Sequence, residues 1–82
     1  MPVHQVTLSG IVAKTAGLTA LELEGNNIRQ LLKSLEAACP DLGPLIAKGV
    51  AVSIDGTLYR DDWFQPIPEG AEVFVIPRLA GG

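Results

Sequence analysis

The chain has 82 residues, a formal charge of −3, an apolar share of 48% and only 18% charged residues. A chain of this size makes one small domain that buries only about 60% of its unfolded surface, and the mean hydropathy of +0.32 marks it as core-forming, not disordered. Its six Lys and Arg residues are nowhere adjacent, so a nucleic-acid partner, which needs clustered cations, is not expected.

The opening residues Val3, Val6, Leu8, Ile11, Val12 and Ala13 form an apolar segment with imperfect alternation. Read as a strand, it is interrupted by Gly10, which suggests a bulge or a close backbone approach. Thr15-Ala16-Gly17 reads as a turn, and Leu18 to Glu24 as a second strand with Leu21 and Leu23 on one face. Together they predict an antiparallel hairpin.

The clearest helix runs from about Ile28 to Ala38. Ile28, Leu31, Leu32 and Leu35 fall at i, i+3, i+4 and i+7, opposite Arg29, Gln30, Lys33, Ser34 and Glu36. Asn27 suits the N-cap, with Gln30 three residues later in the capping-box position. Pro40 stops the helix by biasing Cys39 out of the α region. Leu42 to Lys48 is compatible with a short helical turn capped by Gly49.

Val50 to Ile54 alternates as a strand, and Asp55-Gly56 is a two-residue hairpin signal leading into a short strand from Thr57 to Arg60. An irregular connection from Asp61 to Gly70 carries Pro66 and Pro68. Glu72 to Ile76 is the last strand, ended by Pro77. The order is β-β-α-β-β-β, and the expected class is α+β, with a mixed sheet of about five strands packed on one main helix. A single domain is expected over residues 1–78, followed by a flexible tail over 79–82.

Few residues offer chemistry. Cys39 extends the apolar stripe, and no cation is placed by sequence to activate its thiol, so a small buried hydrophobe is the plainer account. His4 sits in the first strand without a motif. Asp61-Asp62 lacks the further ligands that a metal needs, and one Cys with one His cannot make a structural zinc site. No metal site is expected, no phosphate-binding loop is present, and no nucleophile–base pair can be assembled. No apolar stretch approaches the ~20 residues of a membrane span, and the first residues lack a basic region followed by an apolar run. A cytoplasmic setting without membrane contact is the expectation.

The terminal Gly81-Gly82 is distinctive because it closely follows the apolar strand Val73-Phe74-Val75-Ile76. Glycine has no Cβ, so this pair can thread a narrow channel and present an ionised α-carboxylate. If Val73 and Val75 face the core, Phe74, Ile76 and Arg78 point the other way. Either a helix or loop covers that second face, or Phe74 and Ile76 belong to a docking surface, with Leu79 anchoring the tail.

The strand order, the segment Val52-Ser53-Ile54-Asp55-Gly56, the run Ile67-Pro68-Glu69-Gly70-Ala71-Glu72-Val73 and the ending Ile76-Pro77-Arg78-Leu79-Ala80-Gly81-Gly82 resemble the MoaD/ThiS family of ubiquitin-like sulfur carriers. The resemblance spans essentially the whole chain. It implies a β-grasp fold and a protein co-substrate in place of an enzyme. A ubiquitin-activating-type adenylyltransferase, using its own ATP and Mg²⁺, would adenylate the Gly82 carboxylate. A desulfurase or rhodanese-type sulfur donor would then supply sulfur, leaving a thiocarboxylate for an acceptor synthase subunit. The resemblance implies tail threading by Leu79, Ala80 and Gly81, partner contacts through Phe74, Ile76 and Arg78, and no cofactor bound by this chain.

Within the family, the molybdopterin synthase small subunit is more similar than the thiamin-type carrier in length, in its full helix and in the Ile76-Pro77 step. Arg78 departs from that pattern, since those subunits commonly have a second proline there. Either it pairs with an acidic groove in a different activating enzyme, or it is a surface substitution of no consequence. A ubiquitin-like protein modifier, or a β-grasp binding subunit without sulfur transfer, are the alternative readings.

Overall fold

The computed structural model describes residues 2–60 and 62–77. Five strands, β1 (Val3–Leu8), β2 (Ala20–Glu24), β3 (Val50–Ile54), β4 (Thr57–Tyr59) and β5 (Val73–Pro77), form one sheet in the order β2-β1-β5-β3-β4. β1 and β5 pair in parallel at the centre, with Val6 opposite Val73 and Leu8 opposite Val75. The remaining pairs, β1–β2, β3–β4 and β3–β5, are antiparallel. The fold is an α+β β-grasp, the architecture that the family resemblance implied.

One face of the sheet carries Val6, Leu8, Leu23, Val50, Val52, Ile54, Val73 and Val75, all buried. Helix α2 (Ile28–Ala38) closes this face with Ile28, Leu31, Leu32 and Leu35, the stripe that its spacing predicts. Removing such surface from water contributes roughly 1.5–3 kcal/mol per large aliphatic side chain. The helix start is heavily tied. Asn27 Oδ1 accepts the Gln30 N–H at 2.9 Å, while Gln30 Oε1 accepts the Asn26 N–H at 2.8 Å. This is a capping box displaced by one residue at its return bond.

The two preceding donors of α2 go elsewhere. Ile28 N–H donates to Gln65 O at 3.1 Å and Arg29 N–H to Trp63 O at 2.8 Å, while Ile67 N–H donates to Asn26 O at 2.9 Å. The connection before β5 is thereby sewn to the helix by groups that a helix N-terminus leaves unpaired. At the other end of α2, Cys39 has φ −133° and ψ 81°, outside the α region that Pro40 disfavours for the residue before it. A 3₁₀ turn (Pro40–Leu42) and helix α3 (Gly43–Lys48) follow, and Gly49 caps α3. The Asp55-Gly56 turn has positive φ at both positions, 51° and 88°. Asp55 is further held by Glu72, whose N–H donates to Asp55 Oδ1 at 2.8 Å.

The opening segment corrects one expectation. Residues after Leu8 do not continue the strand, and β1 and β2 are not joined by a short turn. Helix α1 (Gly10–Ala16) lies between them. Val12 is buried, Ala13 and Ala16 pack partly buried against the core and Ile11 is exposed, so the inward positions are i, i+1 and i+4, the spacing of one helical face. Gly10 opens α1 at φ +59°, and a Cβ there would come within 3.0 Å of Pro77 Cγ. Of the two readings of Gly10, the close approach is the one observed.

Leu35 is fully buried at the centre of the α2 stripe, so Leu35→Ala should lower unfolding free energy by about 2–5 kcal/mol. Asn27→Ala, losing the cap, should cost about 1 kcal/mol. Urea denaturation reads both. A Leu35→Ala protein as stable as the parent would contradict the packing described here.

Candidate functional site

β5 has apolar residues on both sides because it is a central strand. Val73 and Val75 are buried against α2's side of the sheet, whereas Phe74 and Ile76 emerge half-buried on the other. Register builds a single cross-sheet row on that outer face. Ala20 stands opposite Thr7, Thr7 opposite Phe74, Phe74 opposite Ser53, and Ser53 opposite Leu58. Ile76 is paired with Ala51, which is buried yet lies outside the main core cluster. Phe74, Ile76 and exposed Leu58 therefore make an apolar surface around the buried Ala51, with exposed Glu22 and Glu24 toward the β2 edge. Of the two accounts of this face, half-burial of Phe74 and Ile76 favours a surface over an occluded layer.

The end of β5 is clamped on several sides. Ser9 N–H donates to Val75 O at 3.1 Å, Pro77 pairs with Val50, and Gly10 leaves room for the Pro77 ring. A proline here ends ladder donation while keeping the strand direction. The chain thus reaches residue 77 at a fixed place, next to Ile76 and the start of α1. Arg78 and the expected tail, Leu79, Ala80, Gly81 and Gly82 with its reactive end, lie outside the described residues.

The other singled-out residues are structural. His4 is buried in β1, and its Nε2–H donates to Gly25 O at 2.8 Å, leaving Nδ1 without a partner. A carbonyl can only accept, so the ring is held as the Nε2–H tautomer and ties β1 to the turn before α2. Gly25 fits that turn because a Cβ would lie 2.8 Å from Leu31 N. Cys39 is a half-buried free thiol packed against the core. Asp61 lies outside the described residues, while Asp62 is exposed and its carbonyl accepts from Gln65 N–H at 3.0 Å. Among the described residues no cluster of three His, Cys, Asp or Glu side chains is placed to hold a metal. Nor is any helix of those residues long and apolar enough to cross a membrane.

One feature escaped sequence reasoning. Trp63 and Phe64 are exposed beside α2, where with Leu32 and Ile46 they border a cleft of about 370 Å³. The signal was present as adjacent aromatics inside a Pro- and Asp-containing connection. Their placement over α2 depends on long-range backbone bonds that no local pattern announces.

Comparison with known proteins agrees with this architecture. The small archaeal modifier protein 1 (SAMP1) of Methanosarcina acetivorans superposes with a TM-score of 0.78 at 21% identity, over 100% of this chain and 98% of that one. A Pyrococcus furiosus protein assigned as molybdopterin converting factor, subunit 1, gives 0.79 at 18% identity, over 96% of this chain and 100% of that one. The BexX/CysO complex of Amycolatopsis orientalis contains a chain matching with a TM-score of 0.71 at 14% identity, over 95% of this chain and 98% of that one. At these identities the likeness is one of fold. No curated protein matches the sequence. The family model for ThiS matches residues 6–82, nearly the whole chain and with it the Gly81-Gly82 end, and the family is one of carrier proteins that do not themselves catalyse. This chain belongs to the ThiS family.

Proposed function

We propose that this protein carries sulfur on its C-terminal glycine. The observation that carries the reading is the ThiS match running through residue 82, joined to a last strand anchored as far as Pro77. A partner adenylyltransferase converts the Gly82 carboxylate and ATP to an acyl-adenylate and pyrophosphate. Attack by sulfide expels AMP and leaves the thiocarboxylate directly, whereas attack by a donor persulfide expels AMP to form an acyl disulfide, whose S–S bond a second thiol cleaves to leave the thiocarboxylate and a disulfide on the donor side. Five residues beyond Pro77 span at most roughly 18 Å when extended, enough to carry the carboxylate from the sheet into a partner's active site. Leu79, Ala80 and Gly81 thread that channel, and Arg78 meets acidic groups at its mouth.

The outer sheet surface serves as the docking face for the activating enzyme and for the acceptor subunit. Phe74 and Ile76 are its apolar centre, next to the place where the tail departs. Desolvated aromatic anchors of this kind carry a large share of interface energy. The ATP and Mg²⁺ belong to the partner, and a sulfur-containing cofactor such as molybdopterin is the favoured product class. A second reading is attachment to proteins as a modifier. It is favoured by the fold likeness to a protein named as a modifier. Both readings share the adenylation step and part at the fate of the acyl group.

Deleting Gly82 should abolish ATP–pyrophosphate exchange with the activating enzyme and leave the urea midpoint unchanged. Exchange at parental rates would refute use of this carboxylate. Phe74→Asp should weaken binding to that enzyme by about tenfold or more, equivalent to roughly 1.4 kcal/mol, with the melting temperature preserved. If calorimetric titration gave unaltered affinity, docking would lie elsewhere; collapse of thermal stability would make Phe74 a core residue.

A further inference from the structure

The cleft beside α2 lies on the opposite side of the domain from Phe74 and Ile76, because α2 covers the sheet's inner face. Its floor is Leu32 of α2 and Ile46 of α3, and its wall is the Trp63-Phe64 pair. Phe64 is 70% exposed and Trp63 38%. These aromatics do not stand on a loose loop. The carbonyl of Trp63 is bonded to Arg29 N–H and that of Gln65 to Ile28 N–H, with Ile67 N–H returning to Asn26. Holding a large aromatic ring rigidly in water forgoes the stabilisation of burying it, so the fold retains here a preorganised apolar surface.

Charge marks what fits it. Arg29 and Lys33 are one helical turn apart along the α2 side of the cleft, and neither forms an ion pair among the described residues. The Arg29 guanidinium lies 6.0 Å from the Phe64 ring centroid, the outer limit of a cation–π contact. A second, more polar recess adjoins it, bordered by Asn27 and Gln30 and sharing Arg29, Lys33 and Phe64. Glu36 follows Lys33 by three residues on the same helix and also lines the cleft, so it disfavours a carboxylate beyond Lys33 and favours an anion placed between Lys33 and Arg29, where the polar recess adjoins.

We propose that this cleft docks a short acidic peptide segment of a partner protein. A carboxylate of the segment sits over Arg29 and Lys33, and an adjacent aliphatic or aromatic side chain enters between Leu32, Ile46 and Trp63. Charge complementarity selects the acid and apolar complementarity seats the anchor. The inference does not rest on the sulfur-carrier reading. Its consequence is that the chain can be held by one partner through α2 while the outer sheet face engages another.

The test uses the full chain and two blocked synthetic peptides, Glu-Asp-Leu-Phe-Glu and its uncharged counterpart Gln-Asn-Leu-Phe-Gln. Amide chemical shifts and fluorescence of Trp63, the only tryptophan, report binding. The acidic peptide should produce saturable shifts confined to α2, α3 and residues 62–66. The neutral peptide, the double variant Arg29→Glu/Lys33→Glu and Phe64→Ala should each bind at least about tenfold more weakly, a difference of roughly 1.4 kcal/mol. All three positions are exposed, and a glutamate in the first turn of α2 suits the helix dipole, so the variants should fold. The proposal is overturned by no saturable response at millimolar peptide, by equal binding of the neutral peptide, or by shifts centred on Phe74 and Ile76. It is equally overturned if the α2 residues respond to protein concentration alone, which would make a second copy the occupant.

Discussion

The parallel pairing of β1 with β5 is the constraint on which the remaining geometry depends. It puts the last strand in the middle of the sheet, where both of its edges are hydrogen-bonded and its Val73 and Val75 reach the core. Parallel neighbours cannot be joined by a tight turn, so the intervening chain must travel across a face. α2 makes that crossing and supplies the apolar stripe that closes the core. With β5 central, its alternate residues Phe74 and Ile76 must emerge on the uncovered face, and Pro77 must leave the sheet beside α1. The outer apolar surface at Phe74 and Ile76 and the fixed position of Pro77 are consequences of the same pairing.

Polar ties reinforce this arrangement where apolar packing alone would leave it loose. His4 links β1 to the Gly25 carbonyl, and Ser34 Oγ–H donates to Glu24 O at 2.7 Å, joining α2 to the end of β2. The connection before β5 satisfies first-turn donors of α2 through Trp63 and Gln65. The His4 bond is buried, where an unpaired donor would cost about 1–3 kcal/mol, and the others fix the relative placement of the elements they join. The same ties fix Trp63 and Phe64 in exposed positions, which links helix capping directly to the second surface.

Much of this was legible in the chain. The Ile28–Leu35 spacing, the Asn27 cap, the Pro40 stop and the Asp55-Gly56 turn are local signals, and local geometry decided them. The resemblance of the terminal segments supplied the fold family. α1 was not legible, because Ile11-Val12-Ala13 continues an apolar run from β1 and seven residues give too little periodicity to separate helix from strand. The role of Gly10 depended on Pro77, sixty-seven residues away, and that of Trp63 and Phe64 on backbone bonds to α2. At the candidate site, Phe74 and Ile76 followed from strand alternation, whereas Leu58 and Ala51 joined them only through β3 register.

On the proposed reading, this ThiS-family chain presents its Gly82 carboxylate to partner enzymes from a last strand anchored as far as Pro77. The central claim is that this terminus carries sulfur. The most direct measurement is the intact mass of the protein isolated from its own host, with a Gly82 deletion as control. The account predicts a species heavier by one sulfur-for-oxygen exchange, mapped by fragmentation to residue 82 and missing from the deletion. Only the unmodified mass, with the activating enzyme and sulfur donor present and active, would contradict it.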